Sequence, residues 1–286
     1  PMDIQSWYAK GTSFISGDTS VFYVREGKGI PLVCIHGFPT SSWDFAMVLP
    51  ELAKQFDCIV PDLPGLGKST TPMNKDIIMN QTDAVELLLE DLGITEAHIF
   101  AHDIGDTIVQ ELLARKKEQK AKVKWLSAVF MNGGMFPEVN RPRIIQKLLG
   151  SFMGPFLGRF LSSKTYENTM NNIFSQAHPP TKVFLDSSWN LLLNNDGRRM
   201  IPVISQYLEE RRTHIKRWRA PLQHPEIPMA MINGIEDPIS GLGTAQFFQK
   251  LQPQSLTVFI ENSGHYPHVE TPEAVVTSFF KFHKSI

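Results

Sequence analysis

The sequence predicts an α/β protein, with a mostly parallel sheet covered by helices on both faces. Three observations carry the prediction. Short β-rich runs alternate with amphipathic stretches through the first half of the chain. The alternation resumes near the C-terminus after a long stretch without a strand signal. Between His98 and Val109 an apolar strand turns sharply into a helix through His102-Asp103-Ile104-Gly105-Asp106.

Taken in order, residues 20–25 and 32–35 read as strands, followed by a helix near 42–54. A strand at 58–60, a helix at 76–92, a strand at 97–101, a helix from 104 to about 117 and a strand at 126–131 complete the first half. Late in the chain come a strand at 228–232, a helix at 244–251, a strand at 256–260 and a helix at 272–283. Residues 135–219 are helical in pattern and rich in Leu, Phe and Met, with breaks at Gly150, Gly154, Gly158 and Pro179-Pro180. Such an insertion between two halves of one sheet reads as a lid over the sheet's carboxyl edge. The expected organisation is a core of residues 1–134 and 220–286 with a cap of 135–219.

Composition narrows the class. The chain has 286 residues, 42% hydrophobic and 20% charged, enough for one large domain with an insertion or for two small ones. A net charge of −1 gives no global field to recruit nucleic acid or an anionic membrane. Cys34 and Cys58 lie in apolar strand-like runs and read as buried thiols rather than a disulfide framework. No early apolar stretch has the length of a signal peptide or a membrane span. Pro1 before Met2 reads as a vector remnant. The expectation is a cytoplasmic monomer or homodimer acting on a small molecule, with neither nucleic acid nor an integral membrane segment involved.

The turn at Asp103 carries the chemistry. It has the strand–turn–helix setting of a nucleophile elbow, which normally presents a serine. A serine alkoxide attacks carbonyl carbon. A carboxylate can instead displace a leaving group at saturated carbon and leave an alkyl ester that water must cleave. His36-Gly37-Phe38-Pro39, after the strand at 32–35, places the Phe38 N–H where it could meet an oxyanion, with the Ile104 N–H as second donor. Asp237 and His265 follow two successive late strands, giving the chain order nucleophile, acid, histidine. Glu236 is a rival acid; Asn132 holds the other strand end where an acid could sit, but carries no charge.

Asp62-Leu63-Pro64-Gly65-Leu66-Gly67-Lys68-Ser69 lacks the first glycine of a phosphate loop and reads as a structural turn. The run from Glu209 to Arg219 reads as a solvated helix face. The histidines show no paired spacing for a metal, and no cofactor is expected. Two of the five tyrosines, Tyr166 and Tyr207, fall in the expected cap. A phenol facing the nucleophile could donate to an epoxide oxygen, or could be a packed aromatic with its hydroxyl tied off. Packing is the expectation for Tyr166, and catalysis for Tyr207.

His36-Gly37-Phe38-Pro39, His102-Asp103-Ile104-Gly105, Asp237 and His265 together resemble the α/β-hydrolase superfamily, within it the epoxide hydrolase and haloalkane dehalogenase branch. The resemblance implies an α/β-hydrolase core with a helical lid inserted after the sixth strand. Tyr207, about thirty residues before the acid, matches one of the two lid tyrosines of epoxide hydrolases; the match of Tyr166 to the other is poor. Asn132-Gly133-Gly134-Met135-Phe136-Pro137-Glu138 and Gln206-Tyr207 are similar to the mesoderm-specific transcript proteins. Haloalkane dehalogenases usually bind halide through a Trp at the place of Ile104 and a polar residue at the place of Phe38, and neither is present. Many epoxide hydrolases carry that Trp too. The resemblance therefore implies opening of an apolar epoxide to a diol, with dehalogenation as the alternative and a non-catalytic binding protein as a further one. Asp106 stands where a small residue is usual and is expected to put negative charge near Asp103.

Overall fold

Strands β1 (Thr12–Ser16), β2 (Thr19–Gly27), β3 (Ile30–Ile35), β4 (Phe56–Pro61), β5 (Glu96–His102), β6 (Lys124–Met131), β7 (Met229–Gly234) and β8 (Leu256–Ile260) form one sheet. Their order is β1-β2-β4-β3-β5-β6-β7-β8. In this computed structural model, residues 3–286 are described except Asn74, Phe152 and Asn195, so Pro1 and Met2 lie outside the described residues. The strands from β3 onward run parallel to their neighbours, whereas β2 is antiparallel to both β1 and β4. Parallel neighbours need crossover connections, and the amphipathic segments supply them. They are α3 (Ile77–Asp91) and α4 (Ile104–Lys117) in the first half, after the short α1 (Ile4–Lys10) and α2 (Leu49–Leu52).

The central strands read as continuous apolar runs because helices cover both faces. Leu32, Val33, Cys34, Ile35, Ile99, Phe100, Ala101, Ala128, Val129 and Phe130 are fully buried. Cys34 and Cys58 are both free and buried. The hairpin strand β1 and helix α1 are additions to the sequence reading; β1 is an edge strand with little burial and so shows weak patterning. The helix expected at 42–54 is instead a 3-10 segment, Ser42–Met47, followed by the short α2. Pro50, in the first turn of α2, has no N–H to bond back into the preceding turn.

Between β6 and β7 come α5 (Ile144–Leu149), α6 (Gly154–Gly158), α7 (Ser163–Asn171), α8 (Lys182–Asn194), α9 (Gly197–Ile204), α10 (Tyr207–Thr213) and α11 (Ile215–Gln223). No strand interrupts them among the described residues. The boundary expected at 219/220 falls inside α11, which packs on α4. Helices α12 (Leu242–Leu251), α13 (Pro267–Glu270) and α14 (Pro272–His283) complete the chain. The run from Glu209 to Arg219 is only in part a solvated face, exposing Glu209, Arg212, Thr213 and Lys216 and burying Glu210, Arg211 and Trp218. Glu210 is buried and accepts the Ile78 and Met79 N–H groups, filling the vacancies at the start of α3. Trp218 is buried and donates to Glu111, which also pairs with Arg115 and Arg217.

Gly105 lets β3 and α4 approach closely. A Cβ there would lie 2.6 Å from the Ile35 carbonyl oxygen and 3.0 Å from that of His36. Gly105→Ala is therefore expected to cost about 1–3 kcal/mol. Urea unfolding should show a lower midpoint with an unchanged slope, and an unchanged midpoint would mean that the turn relaxes freely.

Candidate active site

At the end of β5 the chain turns upward at Asp103, whose backbone lies at φ 51° and ψ −110°. A non-glycine residue in that region is strained, at a cost on the order of 1–3 kcal/mol. Backbone hydrogen bonds hold it there. The Asp103 N–H donates to the Met131 carbonyl at the end of β6 (3.1 Å), and the Asp106 carboxyl accepts from the Met131 N–H. Asp106 thus ties α4 to the neighbouring strand, which accounts for an acid in place of a small residue. Burial, aided by the charge of Asp103, pushes its carboxyl well above the usual carboxylate range. The expected negative charge beside Asp103 is therefore suppressed by desolvation.

The two oxygens of Asp103 have different environments. Oδ2 accepts the Phe38 N–H at 2.9 Å, while Oδ1 faces the Nε2 of His265 at 3.9 Å. Ile104 is the first residue of α4 and fully buried. Gly37 is required beside this contact, since a Cβ would stand 2.6 Å from His102 Nδ1 and 2.9 Å from Asp103 Cβ.

His265 Nδ1 lies 2.8 Å from Asp237 Oδ2. Asp237 is buried and also accepts from the Ile239 N–H, the Ser240 N–H and hydroxyl, and the Asn132 amide. Glu236 points to solvent. Asn132, considered only as a vacant acid position, is instead a clamp: it donates to Asp237 and the Gly234 carbonyl and accepts the Gly234 N–H. Burial alone would lower the His265 pKa, but the charges of Asp237 and Asp103 raise it to about 9. The same pairing holds Asp237 below the usual carboxylate value in spite of its burial. The two carboxylates, Asp237 at 2.8 Å and Asp103 at 3.9 Å, thus favour the imidazolium form of His265.

A largely apolar cavity of about 70 Å³ opens beside these groups. Phe38, His265, Ile239 and Pro39 form its floor side, and Leu149, Leu161, Tyr166, Met170, Trp189 and Ile201 come from the inserted helices. Tyr166 packs on Trp189 with the Ser188 hydroxyl beside its own, and neither makes a well-formed hydrogen bond. The packing expected of Tyr166 is present in its burial against Trp189. Tyr207 is buried across Phe38, edge to face at 6.1 Å between ring centres, with the Arg211 guanidinium 4.5 Å over its ring. Burial raises both phenols, keeping them neutral donors.

Asp62 holds its glycine-rich turn by accepting from the Tyr8 hydroxyl and the Ser42 and Lys68 N–H groups. One group among the described residues could hold a small cation: Asp44, His102 and His268, whose ligand atoms lie within 4.8 Å of one another. These residues are far apart in sequence, so spacing could not reveal them. His102 Nε2 donates to the His265 carbonyl at 2.7 Å, which leaves Nδ1 as a lone pair. Burial pushes Asp44 well up and lowers His102 well below its ordinary value and His268 to about 3. The neutral forms are favoured, and the cluster reads as a polar support behind His265.

Residues 30–272 match the family model of the alpha/beta hydrolase fold. The chain is 31% identical over 293 residues to the mesoderm-specific transcript protein of Mus musculus, covering 98% of this chain and 87% of the relative. Over 86 residues, 30% of each chain, it is 40% identical to a soluble epoxide hydrolase of Corynebacterium sp. (strain C12). The structure of haloalkane dehalogenase DbeA from Bradyrhizobium elkani superposes with a TM-score of 0.78 at 18% identity, covering 96% of this chain and 99% of that one. The last likeness is one of fold.

Removal of the Asp103 charge should lower the His265 pKa, because that anion favours the imidazolium. In Asp103→Asn, with intact mass confirming the amide, NMR titration of the imidazole should give a value below that of the unaltered protein. An unchanged value would mean that Asp103 and His265 do not interact electrostatically.

Proposed function

We propose that this chain, which belongs to the α/β-hydrolase fold family, opens an apolar epoxide to a vicinal diol through a covalent ester on Asp103. One observation carries the reading: a carboxylate at the elbow has one oxygen bound to the Phe38 N–H and the other turned toward His265. A carboxylate so placed suits displacement at saturated carbon and suits carbonyl attack poorly.

In the first step Asp103 Oδ1 attacks an epoxide carbon and the ring C–O bond breaks. Tyr166, which lines the cavity, or Tyr207, buried against Phe38 beside Arg211, gives the ring oxygen a proton. The proton stored on resting His265 then restores the phenol, leaving a neutral imidazole. Esterification removes the Asp103 charge that favours the imidazolium, so the base becomes competent only when there is an ester to cleave. In the second step His265, oriented by Asp237 and the Asn132 clamp, takes a proton from water. The hydroxide adds to the Asp103 carbonyl carbon, and the Phe38 and Ile104 N–H groups hold the oxyanion. Collapse expels the diol alkoxide, which takes up the proton of the added hydroxyl, and Asp103 returns as a carboxylate opposite protonated His265. The inserted helices act as a lid over an apolar pocket. No cofactor enters. A halide leaving group would need N–H donors beside the nucleophile, and the side chains of Phe38 and Ile104 provide none.

His265→Gln should be alkylated and then stall. Intact-mass measurement after incubation with an epoxide turned over by the unaltered enzyme should show a persistent adduct on Asp103. If no adduct accumulates, His265 does not serve the second step.

The tyrosines separate epoxide from halide chemistry. Loss of the donating phenol, in Tyr207→Phe or Tyr166→Phe, should slow epoxide opening by about 10²–10⁴-fold. Halide release from bromoalkanes should change little. Small and equal effects on both substrate types would show both tyrosines to be packing residues.

A further inference from the structure

The stretch from Val139 to Tyr166 carries five cations, Arg141, Arg143, Lys147, Arg159 and Lys164, and no acid, in a chain whose net charge is −1. The same stretch contains Ile144, Leu148, Met153, Phe156 and Phe160, five of the eleven large apolar side chains exposed among the described residues. Ile144, Phe156 and Phe160 are 76%, 58% and 68% exposed, too open to be partly sheltered core. On α5, Ile144 and Leu148 form an i,i+4 pair with exposed Lys147 beside it. Phe156 and Phe160 form a second such pair at 5.2 Å between ring centres, with exposed Arg159 between them. α5 packs on α6 and α6 on α9, so the two pairs lie on neighbouring elements of the lid.

The cations of this face are free to act. Elsewhere, Lys10, Arg25, Lys116, Lys122, Arg217 and Arg219 are each paired with an acid. Among the described residues none of Arg141, Lys147, Arg159 and Lys164 is, while half-buried Arg143 lines the cavity and does not belong to the outer face. Of the acids that bracket the stretch, Glu138 is occupied by Arg219, and exposed Glu167 follows Lys164 by three residues without pairing to it.

We infer that this outer face of the lid docks on an anionic lipid bilayer. Exposed apolar pairs flanked by uncompensated cations suit the boundary between headgroups and acyl chains. A second copy of the chain would bring one uncompensated cationic patch against another, a like-charge repulsion that an anionic surface avoids. The inner side of the same stretch, through Ile145, Gln146, Leu149, Leu161, Thr165 and Tyr166, lines the cavity beside His265. A docked lid therefore sets the substrate cavity directly over the acyl region, a route suited to the apolar substrate proposed above. That consequence rests on the proposed function; the docking itself does not.

Flotation with phosphatidylcholine vesicles containing one third phosphatidylglycerol tests it. The protein should float with them at about 0.1 M salt and much less at about 0.5 M, and should not float with pure phosphatidylcholine. Lys147→Gln with Arg159→Gln should weaken vesicle affinity by roughly 25-fold, about five-fold per cation. Phe156→Ser with Phe160→Ser should abolish binding, and unchanged thermal midpoints would show that both variants fold. Equal binding to neutral and anionic vesicles would overturn the inference. So would indifference to both kinds of vesicle together with a dimer, in analytical ultracentrifugation, that these same substitutions dissociate. Flotation reads binding and not turnover, so failure of the epoxide reading leaves this result intact.

Discussion

The backbone of Asp103 sits at φ 51° and ψ −110°, and the rest of the site is arranged around keeping it there. Strain of that kind persists only where neighbouring contacts over-determine it. Here the contacts come from both flanking strands. The Met131 carbonyl takes the Asp103 N–H, Asp106 closes back on the Met131 N–H, and β3 presses the Phe38 N–H onto the side chain. Two glycines, Gly37 and Gly105, remove the Cβ atoms that would keep β3 away. The result is a carboxylate raised above the sheet without freedom to rotate into the helix.

Electrostatics at the site is organised by burial as much as by pairing. Two aspartates flank His265 and raise it to about 9, while Asp44 and Asp106, equally buried, are pushed toward the neutral form. Four acidic side chains thus divide into two that supply charge and two that supply hydrogen bonds. The division follows local partners. Asp237 has an imidazole, an amide, a hydroxyl and two backbone donors, whereas Asp106 has backbone N–H groups and a more distant guanidinium.

The helices between β6 and β7 have two unlike sides. Inward they offer Leu149, Leu161, Met170 and Ile201 to the cavity, with a single unpartnered phenol at Tyr166. Outward, near α5 and α6, they expose apolar pairs among cations that no acid neutralises. α10 and α11 differ again, being anchored to the sheet side through Glu210 on α3 and Trp218 on Glu111.

Local chemistry explains what the sequence by itself determined. The alternation of strand and helix periods and the position of Asp103 depend on residues close in the chain. So do the order of Asp103, Asp237 and His265 and the expectation of an inserted helical stretch. Tertiary structure alone decided matters that depend on residues brought together from far apart. Asn132 clamps Asp237 across more than a hundred residues, and Asp44, His102 and His268 meet from three separate segments. The charge run at Glu209–Arg219 looked solvated throughout because composition cannot show that Glu210 finds the N–H groups of α3. Asp106 looked like a second charge because a sequence holds no measure of desolvation. The helical period of the cap was legible. Which of its faces covers the cavity and which meets the surroundings was not, because that choice is made by packing against β-strand ends the sequence does not place.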